Sequence, residues 1–253
     1  MRVVYVTSDV TYVRDNYLHL LTQVTDPARL PPGVTVREVV LLRIPAWLVL
    51  RNAIGLPVLG APRVGLALLR NFVQARCGDP RVRMLEERGL PVFRCGSMNE
   101  PATLAHLREG GAPDLIVNLR TRNIYKAEIL GLPKIGCLNI HHGLLPDHRG
   151  TMCDLWAWSE GRPVGFTIHW MNEKIDDGRL VARREIDAKR FTSYVDIPME
   201  SSRVEAETLL DVLRQVQANG SLTGEPNRST GTPHTRNPTF AQIQAMRRKG
   251  LRL

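Results

Sequence analysis

Five short runs in the first 141 residues are apolar almost without interruption: RVVYVT (2–7), TVREVVLL (35–42), LPVFRC (90–95), PDLIVNL (113–119) and IGCLNIH (135–141). Stretches with helical spacing or helix punctuation separate them. A strand that is apolar at every position must be covered on both faces, which happens when crossover helices pack on the two sides of a parallel sheet. The pattern therefore predicts an open, mostly parallel α/β sheet, whose ligands bind beyond the carboxyl ends of the strands.

The intervening stretches read as helices. DVTYVRDNYLHLLTQV (9–24) places Leu18, Leu21 and Val24 on one side. The apolar segment 39–76 predicts two short helices, at 45–53 and 62–76, split by a Gly/Pro turn. Residues 79–89 predict a helix closed by Gly89, and 99–111 a helix capped at Asn99 with Pro101 in its first turn. A further helix is expected at 124–131. Beyond residue 141 the expected order is a helix over 151–161 with its tryptophans inward, strands at 164–171 and 179–186, and a helix at 200–217. Residues 219–238 read as a long loop or partly disordered linker, and the tail as a short helix.

The four cysteines, Cys77, Cys95, Cys137 and Cys153, form no C-x-x-C pair, which points to a reducing, cytoplasmic setting and not to zinc. Net charge is +9 and 29 of the 34 basic residues are arginine, which suits phosphate or nucleic acid. It is also the composition that codon bias in a GC-rich genome produces. No Lys/Arg run exceeds three residues and none interleaves with aromatics, so nucleic acid is not the expected partner. Met1-Arg2 leads straight into a strand with no leader pattern. Arg43, Arg51, Arg63 and Arg70 interrupt the apolar segment, which falls short of the roughly 20 apolar residues of a membrane span. Its basic, amphipathic character still permits contact with a membrane surface.

The most informative stretch is CLNIHHGLLPDHRG (137–150). Alternation puts Asn139 and His141 on one face of a strand end, with Ile140 and His142 on the other. Downstream, His169 lies within a strand, and the loop after it carries Asp176, Asp177 and Gly178. Three readings are open for these residues. A metal site would draw on His141, His142, His148, His169 and the aspartates, but compact ligand spacing is absent. Structural hydrogen bonding suits His142, His148 and Asp177 taken singly. Acyl transfer suits Asn139, His141 and Asp176 together: an amide and an imidazole N–H stabilise an oxyanion, and a carboxylate beside the imidazole raises its pKa and moves a proton. No nucleophile elbow is present, which favours direct transfer between two bound substrates.

NIHHGLLPDHRG followed by GFTIHWMNEKIDDG resembles the folate-dependent formyltransferase family. There an N-x-H…LLP…RG block precedes G-x-T-x-H, with an Asp seven residues after that His and a Gly two further on; here these are His169, Asp176 and Gly178. PDLIVNLRTRNIY resembles the strand and loop that precede the block. The resemblance implies a Rossmann-like sheet of the formyltransferase type, with a catalytic domain at 1–190 carrying an apolar insert at about 44–76. A short C-terminal extension of helix, loop and tail follows at 191–253. It implies 10-formyltetrahydrofolate as cosubstrate and an amine as acceptor, attacked directly through a tetrahedral intermediate. Asn139 and His141 would stabilise the oxyanion, and Asp176 would orient His141 and take the amine proton. Arg122, Ile124, Leu138, Ile175 and Asp177 would line the folate site, with His169, Gly178 and Arg149 in support and no metal.

Departures from the family's pattern narrow the acceptor. His142-Gly143 stands where a small residue or proline, then serine, is commonest, and Arg120 and Arg122 stand where many relatives are small or apolar. The first loop, TSDVTYVRDN, has no glycine, which disfavours a phosphate-bearing glycinamide ribotide. Only about 60 residues follow the core, against the second domain of about a hundred in initiator-tRNA enzymes. The expectation is N-formylation of a small-molecule amine, either an amino sugar on a nucleotide carrier or an amino-acid-derived acceptor. The alternatives are a formyltetrahydrofolate hydrolase and a non-catalytic folate- or nucleotide-binding module. The apolar insert has three candidate roles: an acceptor pocket, a homodimer contact, or cover for the sheet's flank.

Overall fold

A computed structural model describes residues 1–228 and 231–253. The strands are β1 (Arg2–Ser8), β2 (Thr35–Leu42), β3 (Val92–Cys95), β4 (Leu115–Leu119), β5 (Gly136–His141), β6 (Val164–Trp170) and β7 (Leu180–Ile186). They form one sheet in the order β3-β2-β1-β4-β5-β6-β7. The first five are mutually parallel, and β6 and β7 are antiparallel to their neighbours. The fold is thus the mostly parallel α/β sheet that the alternating strand and helix patterns predict.

Strand alternation divides the core between the two faces. On one face Val3, Tyr5, Val39, Leu115, Val117, Leu138 and Ile140 pack against α1 (Leu18–Val24) and α8 (Asp196–Asn219). On the other, Val4, Val6, Val40, Ile116 and Cys137 pack against α5 (Pro101–Arg108) and α6 (Ala127–Leu130). Asn139 and His141 share the alternation of Cys137, so they belong to this second face. The remaining helices are α2 (Ala46–Leu59), α3 (Pro62–Cys77), α4 (Pro80–Glu87), α7 (Cys153–Ser159) and α9 (Phe240–Arg248).

Several local expectations are corrected. The helix expected from residue 9 starts only at Leu18, because Asn16 and Tyr17 adopt left-handed backbone (φ 52° and 61°). Asn99 does not cap α5; its amide instead donates to the Ile124 carbonyl at 2.8 Å and accepts from the Lys126 N–H at 2.8 Å. The first insert helix runs on to Leu59 and takes Pro57 into its last turn. Within residues 219–238, Glu225 bridges Leu180 and Thr235 bridges Gly150, so both points of this stretch are tied to the core. All four cysteines are free. Among the described residues, no helix is long and apolar enough to cross a membrane.

Candidate active site

Strand register brings three polar side chains abreast. Asn118 of β4 is opposite Asn139 of β5, and Asn139 is opposite His169 of β6. The Asn118 amide donates to Asn139 Oδ1 at 2.9 Å, and Asn139 Nδ2 donates to His169 Nε2 at 3.0 Å. His169 Nδ1–H donates to the Trp170 carbonyl at 2.8 Å, so Nε2 is the unprotonated, accepting nitrogen. The chain of bonds fixes which end of the Asn139 amide is oxygen. One Nδ2 hydrogen is left to donate elsewhere.

His141 lies two residues further on the same face. Its Nε2–H donates to the His148 carbonyl at 2.7 Å, and its Nδ1 stands 3.4 Å from Asp176 Oδ1. Burial alone would lower its pKa, but the Asp176 carboxylate, the Cys153 side chain and the His148 carbonyl outweigh that and raise it to about 9. His169 moves the other way, to about 4, through its own burial and the charge of His141. Two imidazoles with centroids 6.4 Å apart therefore hold different protonation states at neutral pH.

Asp176 comes from the β6–β7 loop in a left-handed conformation (φ 51°), which aspartate tolerates better than most residues. Its Oδ2 accepts the Gly150 N–H at 3.0 Å, and its backbone carbonyl accepts from the Asn227 amide at 2.9 Å. Arg149 ties the same loop together, bonding Asp177 Oδ1 at 3.3 Å and Asn227 Oδ1 at 2.8 Å. A Cβ on Gly178 would stand 1.7 Å from the Trp170 carbonyl oxygen, so only glycine lets the loop turn back against β6. A Cβ on Gly143 would meet His141 Nε2 and the His148 carbonyl, each at 2.6 Å, which accounts for glycine at this position.

The structure brings Asn139, His141, His169 and Asp176 together, with Arg149, Asp177 and Gly178 holding the loop. Arg122, Ile124 and Ile175 are exposed on loops, and Arg122 Nη2 donates to Asn237 Oδ1 at 3.4 Å. Leu138 is the correction: it is sealed on the α1/α8 face of the sheet, opposite the site, and offers no surface to folate. His142 turns away from the site and bridges Asp154 and Glu205, at 3.2 Å each. Arg120 does not line a pocket either. It is buried, pairs with Glu205 and lies 4.7 Å over the Tyr17 ring. Among the described residues, no group of three or more His, Cys, Asp or Glu is arranged to hold a metal ion.

Sequence reasoning missed Asn118 and Asn227. Asn118 was legible as the one polar residue in the LIVNL strand. Asn227 sits in the Gly/Pro-rich stretch, where nothing local marks it.

The sequence matches the family model described as formyl transferase over residues 73–213, more than half of its length. The chain belongs to the formyl transferase family. That family uses 10-formyltetrahydrofolate as formyl donor. The methionyl-tRNA formyltransferase of Geobacter metallireducens is 32% identical over 148 residues, covering 58% of this chain and 47% of that protein. The methionyl-tRNA formyltransferase of Clostridioides difficile is 32% identical over 140 residues, covering 55% and 45%. The chain thus spans about half the length of the relatives it matches. The fold is also that of the phosphoribosylglycinamide formyltransferase of Bacillus halodurans, with a TM-score of 0.60 at 16% identity over 87% of this chain and 97% of that one. A sugar N-formyltransferase from a Shewanella species superposes with a TM-score of 0.57 at 20% identity, over 93% and 76%.

Proposed function

We propose that the protein is an N-formyltransferase that moves a formyl group from 10-formyltetrahydrofolate to the amine of a small molecule. The observation that carries this reading is the position of one oxygen. Asp176 Oδ1 lies 3.4 Å from the charged His141 ring and 3.9 Å from the neutral His169 ring, beside an asparagine whose amide is already oriented. The bound donor supplies a formyl carbonyl open to attack by an amine. The free Nδ2 hydrogen of Asn139 stabilises negative charge on that oxygen. His141 acts through its positive charge and through the Nδ1 edge that it shares with Asp176. Asp176 takes the proton that the attacking amine must lose. The bond from the formyl carbon to N10 of the donor then breaks, and N10 takes up that proton and leaves as the amine of tetrahydrofolate. The donor fits the flanks, where Ile124 and Ile175 expose apolar surface to a flat ring and Arg122 offers a cation.

The hydrogen bonding of the loop after β1 supports the acceptor class. After β1 the N–H groups of Thr11, Val13, Asn16 and Tyr17 bond within the loop itself. Buried Arg81 draws the carbonyls of Ser8, Asp9 and Asn16 inward. Those four N–H groups are already engaged and not offered to a ribotide phosphate. This supports an amino sugar on a nucleotide carrier or an amino-acid-derived amine as acceptor.

Calorimetric titration with a stable, non-transferable analogue of 10-formyltetrahydrofolate tests the donor half. Saturable binding, followed by formyl transfer in an amine screen begun with nucleotide-linked amino sugars, is expected. Formate release that needs no amine would make the protein a hydrolase, and absence of binding at high micromolar analogue would remove the folate reading.

A further inference from the structure

The apolar insert forms a helical hairpin whose inner side is tied down. Val49 and Ala53 of α2 and Val64 and Ala67 of α3 are buried. The helices approach so closely at Gly65 that a Cβ there would stand 2.8 Å from the Ala53 carbonyl oxygen. Asn71 anchors α3 by donating to the carbonyls of Thr11 at 2.8 Å and Val13 at 2.7 Å.

Among the described residues, the side chains of the outer side have no partner outside the hairpin. On α2 the spacing 47, 50, 51, 54, 58 marks one helical stripe, and on α3 the spacing 66, 69, 70, 73 repeats it. Trp47 is 64% exposed, Ile54 70%, Val58 79% and Leu66 66%. Arg51 and Arg70 hold the same place in the two stripes, and Arg51 lies 5.2 Å over the Trp47 ring. Between Val39 and Gly78 there are five arginines, all exposed, and not one Asp or Glu. At the hairpin's tip, Gly60 and Arg63 meet Arg247, Leu251 and Arg252 around a cavity of about 300 Å³, which extends the cationic rim.

Charge decides what covers this face. A second copy docked symmetrically would set the same arginines against each other with no acid between them. Apolar side chains, a tryptophan and guanidiniums without acidic residues match an anionic bilayer, where the apolar stripe enters the headgroup–acyl boundary and arginines meet phosphates. We infer that the α2–α3 hairpin seats the protein on the surface of an anionic lipid bilayer. The inference is independent of the formyl-transfer reading.

The test is flotation of the full chain with vesicles of phosphatidylcholine alone and of phosphatidylcholine containing phosphatidylglycerol. Binding only to the anionic vesicles, weakened by salt, is expected. The double variant Ile54→Ser/Val58→Ser should lower the partition coefficient about tenfold or more, from the apolar area withdrawn. Arg51→Gln/Arg70→Gln should lower it about tenfold or more through charge alone, at about 1 kcal/mol per arginine. All four side chains are exposed, so the variants keep the core intact. Absence of flotation, or flotation equal in the serine variant, would overturn the inference. A solution dimer that the serine variant dissociates, with no vesicle binding, would assign the face to a second copy instead.

Discussion

Asn139 donates from Nδ2 to Nε2 of His169 at 3.0 Å, and that bond sets the protonation of the histidine. A proton on Nε2 would point one donor at another. The depressed pKa of His169, about 4, agrees with the geometry. His169 in this reading positions the amide of Asn139 and never touches substrate.

His169→Ala therefore leaves the Asn139 amide without its acceptor and free to turn. The expected result is a loss of kcat of roughly tenfold to a hundredfold, below the ~10²–10³ that losing an oxyanion donor costs outright. KM for the folate should change little. Steady-state kinetics separate the two, and a rise in KM with kcat unchanged would contradict the positioning role.

Asp176→Asn keeps the hydrogen bond from the Gly150 N–H, because an amide oxygen still accepts it. It removes both the proton acceptor and the anion beside His141. Formyl transfer should fall by about 10³-fold or more, while calorimetric affinity for the folate analogue stays within a few-fold. Undiminished turnover would refute the role.

The two imidazoles make opposite contributions to stability. His141 binds its proton more tightly folded than unfolded, so its contribution is full below pH 6.5 and is lost as pH rises through about 9. His169 resists protonation when folded, so its contribution is full above pH 6.5 and is lost as pH falls towards about 4. From this pair alone, stability to urea should peak near pH 6.5. The alkaline arm is on the order of 3 kcal/mol for a shift of that size. In Asp176→Asn the alkaline arm should flatten; an unchanged slope would mean that another group holds the His141 proton.

What the sequence made legible follows from periodicity. Five largely apolar runs marked the first five strands, and alternation placed Asn139 and His141 on one face because a strand has a period of two. Asp176 was legible through the resemblance, whose pattern sets an Asp seven residues after the strand histidine, here His169. Leu138 was misjudged because nearness in sequence to Asn139 says nothing of which side of the sheet a residue faces. Asn16 and Tyr17 hid the true start of α1, since left-handed backbone at two non-glycine residues leaves no mark in composition. Asn227 was out of reach, because 51 residues separate it from the carbonyl that it binds.

Gly178 tests the loop's geometry directly. The Trp170 carbonyl oxygen would sit 1.7 Å from an alanine Cβ, and backbone cannot swing aside as a side chain would. Gly178→Ala should cost about 3 kcal/mol or more in urea unfolding. A loss under 1 kcal/mol (about) would show that the loop relaxes freely.

Asn227 reports on the same loop without the clash. Its amide donates to the carbonyls of Asp176 at 2.9 Å and Gly178 at 3.0 Å, while its own oxygens hold Arg149. One side chain thus spans both ends of the turn that presents the carboxylate. Asn227→Ala leaves those carbonyls to water, since the loop is only half-buried, and the fold should lose no more than about 1–2 kcal/mol. The carboxylate would be less well placed in the free protein, so kcat should fall about tenfold and KM for the folate should rise several-fold, because ordering the loop then draws on binding energy. Arg149→Lys, which keeps the charge but not the fork that reaches both Asp177 and Asn227, should reproduce the kinetic loss. Wild-type kinetics in both variants would show that Asp176 is held by the Gly150 N–H alone.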